Sequence, residues 1–496
     1  MILPDDFTNR MKEQLGAEYD AFIESYKDPA VKSLRMNRRR VQSGKMRDIA
    51  AAVTCKSEPE SVLFYDGAYY YEDDGPGRNP LHEAGAYYIQ EASAMLPVTM
   101  LDVNDSGQKV LDLCASPGGK STQAADLMNG QGLLVANEIV AGRAKILSEN
   151  IERMGVTNAL VINEDPATLA ERLGGFFDRI LVDAPCSGEG MFRRNPEAVN
   201  EWSLENVRMC ADRQDMILDC AAKMLAPGGR IIYSTCTFSP EEDEGSMERF
   251  LARHPEFAVC EGPTRLYPHK FRGEGHFAVA FELAASENIG TLSTPTNRGQ
   301  GGWPQGCHQA SSADAKPLLS ARGLSERLAP CRTGPARHPL RGSTDRGASS
   351  SSTLLSQFLE ETLSAECYIR DVIKNDPGRL LAFGDSIYLA PEYMPDIDGL
   401  RVLRAGLKLG TFRKNRFEPD HALSHALTAG DVILSVDLPE DSGMIKQYLS
   451  GMTLSCERDK SGWCLICVDG IGIGWGKASG GVVKNHYPKG LRKAFA

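Results

Sequence analysis

Cys186 and Cys236 stand fifty positions apart, one in Asp183-Ala-Pro-Cys186-Ser-Gly and the other in Ser234-Thr-Cys236-Thr, each just past an apolar, strand-like run. A thiol is a weak nucleophile until it is deprotonated, and helix N-termini or nearby cations favour the thiolate. Upstream of both lies a glycine-rich turn, LDLCASPGGK from Leu111 to Lys120. A strand, a tight Pro117-Gly118-Gly119 loop and a following helix let backbone N–H groups approach a ligand at a helix start. The combination predicts a thiolate delivered to a substrate beside a bound cofactor. Cys114 shares that rim but precedes the glycines, so it offers backbone contacts. Cys210, Cys220 and Cys260 fall inside helix or strand patterns and read as small buried hydrophobes. Cys464-Leu-Ile-Cys467 lacks a second pair or neighbouring histidines, and its alternating strand favours core over metal.

The elements that must position these groups follow from the pattern after Lys109. The short apolar runs KVLDLC, LLVANE, ALVINE, DRILVDAP and RIIYSTC alternate with longer helical stretches, which predicts an α/β fold with a doubly wound parallel sheet. Glu256 to Cys260 and His276 to Glu282 read as a closing antiparallel pair. Acids end four successive strands: Asp112, Glu138, Asp165 and Asp183. Glu138, twenty residues after Gly118, stands where a carboxylate accepts both ribose hydroxyls of an adenosine-type cofactor. Asp165 can meet an adenine edge, and Asp183 faces the same crevice. Each acid singly is more often a cap or turn residue; four in succession are a pattern.

A chain of 496 residues, 42% hydrophobic and 24% charged, accommodates roughly two to four domains. No apolar run approaches the ~18 residues that span a bilayer and no leader-like segment opens the chain, so the expected address is the cytoplasm. The thirteen cysteines form no regular framework and suit reduced thiols. A net charge of −11 argues against coating nucleic acid by bulk attraction while leaving room for a local basic path. The expected domains are a small α+β region over 1–80, ferredoxin-like and RNA-binding, with a basic cluster at Arg35 to Arg40; a catalytic domain over 81–284, opened by a helix-like stretch from His82 to Met100; a flexible Ser/Gly/Pro/Arg-rich linker over 285–353; and a β-rich region over 354–496 whose last twenty residues hold Lys477, Lys484, Lys489, Arg492 and Lys493 without an acid.

LDLCASPGGK, LVDAPCSGEG and YSTCTFSPEEDE, in this order, resemble the cofactor, fourth and sixth motifs of the Nol/Nop/Sun family of RNA cytosine-5 methyltransferases, which use S-adenosyl-L-methionine. Leu3-Pro4 with Phe7, GAYYIQEASAMLP (Gly85 to Pro97), RLYPHKFRGEGHF (Arg265 to Phe277), LRAGLKLGTFRKNRFEPDHAL (Leu403 to Leu423) and GWGKASGGVVKNHYPKGLR (Gly474 to Arg492) extend the resemblance to the family's bacterial small-subunit rRNA branch, over nearly everything except the linker. The resemblance implies a class I, Rossmann-like methyltransferase fold with a C-terminal PUA-like RNA-binding domain. It implies Cys236 as the nucleophile that adds to cytosine C6, Cys186 as the residue that helps release the enzyme, and Asp183 with Pro185 as holders of the base. It implies a cofactor site of Cys114, Ala115, Ser116, Pro117, Gly118, Gly119, Lys120, Glu138, Arg143, Asp165 and Asp183, and no metal. RNA, specifically 16S rRNA or the small ribosomal subunit, is the implied partner, and a monomer is the default state. Asp243 departs from the family's usual Asn and Met36 from its usual Val.

Three rival readings remain. In a DNA cytosine-5 methyltransferase the Pro-Cys cysteine, here Cys186, is the nucleophile, but no ENV-type motif follows it and Cys236 is left unexplained. A tRNA or other RNA substrate is the second. The third is an rRNA-binding assembly factor that keeps the fold as a scaffold, against which the intact acids and both cysteines speak.

Overall fold

The computed structural model describes residues 2–72, 74–283 and 345–493. Its centre is a sheet built from β1 (Lys109–Asp112), β2 (Leu133–Asn137), β3 (Ala159–Ile162), β4 (Phe177–Asp183), β5 (Leu225–Thr235), β6 (Phe257–Leu266), β7 (His276–Leu283) and β8 (Val402–Ala405), in the order β8-β3-β2-β1-β4-β5-β7-β6. β1 to β5 pair in parallel, β7 runs antiparallel to both β5 and β6, and helices cover both faces. Val110, Leu134, Val161 and Ile232 enter one core while Leu111, Val135, Ile162 and Ile231 enter the other. Strands buried on both faces must be apolar throughout, which is why these runs do not alternate with polar residues. The expected closing pair is β6 and β7. Cys260 is exposed on β6, contrary to the expectation of burial: β6 is an edge strand, and alternate side chains of an edge face water.

The topology fixes the site. Strand order reverses at β1, so the loops leaving β1 and β4 diverge and open a crevice at the carboxyl ends of the strands. Register then places Asp183 of β4 beside Ser234 of β5, and the two cysteines follow within three residues of these partners.

The N-terminal region differs from its expected form. Its sheet has three antiparallel strands, with Lys32–Met36 between Ala68–Tyr71 and Tyr87–Ile89, where a ferredoxin-like βαββαβ unit has four. Tyr87–Ile89 completes this sheet, so the unit runs past the boundary expected at 80. The stretch His82 to Met100 is not one helix: Gly85 takes a φ of 71°, and a Cβ there would meet the Arg153 carbonyl oxygen at 1.9 Å. A strand of β-favouring Tyr87, Tyr88 and Ile89 follows, and Pro97 sits in the first turn of the helix Leu96–Met100. The helices Asp5–Leu15 and Tyr19–Ser25 press Phe7, Met11 and Phe22 onto Phe192, Trp202 and Phe238, so this region packs directly against the loops beyond β4 and β5.

Most of the expected linker lies outside the described residues, but the helix Asp345–Thr362 occupies its last nine positions. The C-terminal region is not a detached tail. β8 pairs with β3, Arg401 donates to Glu164 at 2.6 Å through its backbone and 3.0 Å through its guanidinium, and Arg404 pairs with Glu152. A four-stranded sheet and a five-stranded sheet complete it. The five-stranded sheet, through Ile466, and the helix Gly443–Ser450, through Ile445 and Tyr448, share one core with Leu34, Met36 and Tyr87 of the N-terminal unit. Cys464 and Cys467 are buried in two separate cores, as an odd spacing in a strand requires. No helix among the described residues is long and apolar enough to cross a membrane.

Candidate active site

The glycine turn joins β1 to the helix Gly119–Leu127, and Gly118, with φ 112°, makes the turn. An added Cβ at Gly118 would stand 3.2 Å from Leu147 Cδ1 in a backbone conformation that side chains resist. The loop is tied down on several sides: Ala115 N donates to the Asn137 carbonyl at 2.8 Å, Asn150 Nδ2 to the Pro117 carbonyl at 2.9 Å, and Arg143 Nη2 to the Ser116 carbonyl at 3.1 Å. From the N-terminal region, the fully buried Arg35 donates to Thr122 Oγ1 at 2.9 Å and to Gln90 Oε1 at 2.9 Å. At least this member of the basic cluster at 35–40 braces the helix Gly119–Leu127 instead of facing a polyanion.

The four strand-end acids differ in environment. Asp112 is buried, accepts from Ser121 Oγ at 2.6 Å, and leaves Oδ1 without a partner. Burial, reinforced by the charge of Asp183, pushes its carboxyl up to about 7. Glu138 is also buried; it accepts from Val140 N at 2.8 Å and lies 3.5 Å from Arg143. Asp165 is exposed and caps the helix Pro166–Arg172 through Ala167 N at 2.8 Å. Asp183 takes Lys120 Nζ at 2.8 Å on Oδ2 and Ser234 Oγ at 2.9 Å on Oδ1. Burial opposes ionisation of Asp183, yet Lys120 holds it well below the usual carboxylate range. In return Asp183 outweighs the burial of Lys120 and raises its ammonium. His276 Nε2 stands 3.5 Å from Asp183 Oδ1; burial and Lys120 lower its pKa and favour the neutral ring.

The two cysteines meet beside this ion pair. Cys186 Sγ and Cys236 Sγ are 3.4 Å apart, both half-buried and both free thiols. The hydrogen bond to Cys236, then burial, push the Cys186 thiol well above its ordinary range, which favours its protonated form; either sulfur can donate in the pair. Lys120 also feels Cys236: the sulfur's charge is among the causes that raise its ammonium. Burial likewise raises Cys114, consistent with backbone contacts only.

Several supporting residues escaped the motif-level reading. Ser187 Oγ and Thr237 Oγ1, each the residue after a cysteine, are 2.8 Å apart. Gln214 Nε2 donates to the Pro185 carbonyl at 3.1 Å and to Glu242 Oε2 at 2.9 Å, while Ser187 N donates to that same Glu242 oxygen at 3.0 Å. Gly190 N donates to the Cys236 carbonyl at 2.8 Å. The Ser and Thr following the cysteines were a visible signal; Gln214, mid-helix and 28 residues away, gave none.

The residues present fit an adenosine-type sulfonium cofactor. A tight αL glycine turn leaves backbone exposed, a buried acid ends β2, and Asp112 Oδ1 is buried without a hydrogen-bond partner, an acceptor that suits a cationic group. Strand order, crevice and acid pattern together define a class I methyltransferase. Ribosomal RNA small subunit methyltransferase F of Vibrio vulnificus (strain YJ016) is 31% identical over 515 residues, covering 99% of this chain and 98% of the relative. The chain belongs to that methyltransferase F family.

Four family models tile the sequence: N-terminal domain of 16S rRNA methyltransferase RsmF over residues 3–92, 16S rRNA methyltransferase RsmB/F over 98–281, RsmF rRNA methyltransferase first C-terminal domain over 357–427, and methyltransferase RsmF PUA domain over 434–493. The relative of the same name from Shewanella sp. (strain MR-7) is 31% identical, covering 99% of this chain and 97% of the relative. Among solved structures, PH0851 matches with a TM-score of 0.53 and 26% identity over 56% of this chain and 66% of that one. NSun6 from Pyrococcus horikoshii with SFG matches with a TM-score of 0.51 and 20% identity over 57% of this chain and 99% of that one, a likeness of fold.

Proposed function

We propose that this chain methylates C5 of a cytosine in 16S rRNA, using S-adenosyl-L-methionine, through a covalent bond between Cys236 and C6. The observation that carries the reading is the sulfur pair at 3.4 Å beside the Lys120–Asp183 ion pair. The loop from Cys114 to Lys120, with Glu138, Arg143, Asp165 and Asp183, would hold the cofactor, which supplies an electrophilic methyl group when bound.

A cytosine stacked in a helix hides C5 and C6, so the base must be splayed into the crevice. Asp183, held ionised by Lys120, accepts from the base's polar edge and orients the ring. Cys236 adds to C6, the C5=C6 electron pair shifts to C5, and C5 becomes nucleophilic enough to take the methyl group. Cys186, whose thiol the contact with Cys236 and burial hold well above its ordinary range, stays protonated during this step. Removal of the C5 proton then restores the double bond and expels the Cys236 thiolate, and Cys186, 3.4 Å away, assists that step.

The five-stranded sheet supplies a surface for the RNA backbone. Lys477 and Lys484 face each other across a register pair and Trp463 opposes Lys477 on the next strand. Like charges directly opposed are unfavourable in a free sheet, and both lysines are exposed, which suits a phosphate contact beside an aromatic ring. The cytoplasm, where small ribosomal subunits assemble, is the matching address. Bisulfite mapping of 16S rRNA from a strain lacking this chain tests the reading: loss of a 5-methylcytosine, restored on complementation, is expected, and an unchanged map contradicts it.

A further inference from the structure

Glu242 is a buried carboxylate with one oxygen in use and one idle. Oε2 accepts from Ser187 N and Gln214 Nε2, whereas Oε1 is buried without a hydrogen-bond partner. Through these bonds Glu242 and Gln214 hold the backbone on both sides of Cys186, the Pro185 carbonyl and the Ser187 N–H. An idle buried acceptor is costly unless a proton reaches it.

We propose that Glu242 is the proton acceptor for Cys186, acting through that thiol during product release. This rests on the reading that Cys186 resolves the adduct. The Cys186 S–H proton passes to Glu242 Oε1, and the resulting thiolate takes the C5 proton. The C5–H electron pair becomes the C5=C6 bond, and the Cys236–C6 pair leaves on Cys236 sulfur. Cys186 ends as a thiol, Glu242 as a carboxylic acid and Cys236 as a thiolate; Glu242 returns its proton to water after the product leaves.

The surroundings suit Glu242 as the acceptor, while Cys186, held protonated chiefly by its bond to Cys236, is released to give up its proton once the adduct engages the Cys236 sulfur. Burial, with the charge of Glu189 added, pushes the Glu242 carboxyl up to about 7 against the hydrogen bonds from Ser187 and Gln214, so it exchanges a proton near neutrality. Cys186, Cys210, Tyr233 and Asp243 lie within electrostatic reach of Glu242. Burial raises Cys210, Tyr233 and Asp243 as well, which favours their neutral forms, and Arg265 faces Asp243 at 2.9 Å. Glu189 is already engaged by Trp202, Phe238 and Ser239.

The test follows adduct formation and release on 16S rRNA for the native chain, Glu242→Gln and Cys186→Ala. Glutamine keeps an acceptor for Ser187 N but cannot take the proton. For Glu242→Gln, adduct formation is expected at the native rate, with release slowed about a hundredfold or more and no longer dependent on pH. In the native chain, release is expected to accelerate as pH rises through about 7. Native-like release by Glu242→Gln, or a flat native profile, overturns the proposal; so does a folded Glu242→Gln that forms no adduct, which would make Glu242 a scaffold alone. If Cys186→Ala fails to trap the adduct, the underlying reading falls first; if it traps and Glu242→Gln does not, only this inference falls.

Discussion

Ser187 Oγ and Thr237 Oγ1 lie 2.8 Å apart, so the residue after Cys186 is bonded to the residue after Cys236. The two loops are thus tied together beside the sulfurs, which stand 3.4 Å apart. Both hydroxyl residues are buried. Ser187→Ala should therefore leave Thr237 short of a partner and cost about 1–3 kcal/mol. Thermal melting should show that loss, while calorimetry finds cofactor affinity unchanged and turnover reduced.

The Lys120–Asp183 pair makes a second prediction. Asp183 is held below its unfolded value, so its contribution to stability is present above about pH 4 and is lost as pH falls. Lys120→Met removes the partner of a largely buried carboxylate; because part of that carboxylate reaches solvent, the cost at neutral pH should fall at or below the low end of ~3–5 kcal/mol. Melting curves should show the gap from the native chain narrowing in acid.

Asp112 supplies a third prediction, on the proposal that its buried carboxyl faces the cofactor's cationic group. Its carboxyl is raised to about 7, and a sulfonium or ammonium group prefers the carboxylate. Cofactor affinity should rise with pH through neutrality and level off above it. Asp112→Asn should lose that dependence along with roughly 1.5–3 kcal/mol of binding, read by calorimetry at pH 6 and 8.

The parallel sheet, its crevice and the glycine turn were legible in sequence because strands buried on both faces must be continuously apolar and a turn at φ 112° favours glycine. β8 was not: Val402 to Ala405 is four residues long, and its partner β3 lies some 240 positions earlier, beyond any periodicity. The same distance hid the core that Ile466 shares with Leu34. Ser187, Thr237 and Glu242 lay within the recognised motifs, yet their roles depend on a register pairing, Asp183 with Ser234, that only the folded sheet supplies.

That shared core also decides how RNA binding should be probed. Removing the C-terminal region would strip β8 from the catalytic sheet and expose the N-terminal core, so substitutions are the cleaner route. Lys477→Gln with Lys484→Gln should weaken RNA binding and flatten its salt dependence by about 1.4–1.8 in the log–log slope, as expected for two lost phosphate contacts. Cofactor affinity should not change.

The division of labour between the cysteines is the central claim, and denaturing gel electrophoresis of each variant with 16S rRNA and cofactor tests it most directly. Cys186→Ala should accumulate a covalent protein–RNA band, and Cys236→Ala should form none and transfer no methyl group. A covalent band with Cys236→Ala, absent with Cys186→Ala, would contradict the assignment and make Cys186 the nucleophile.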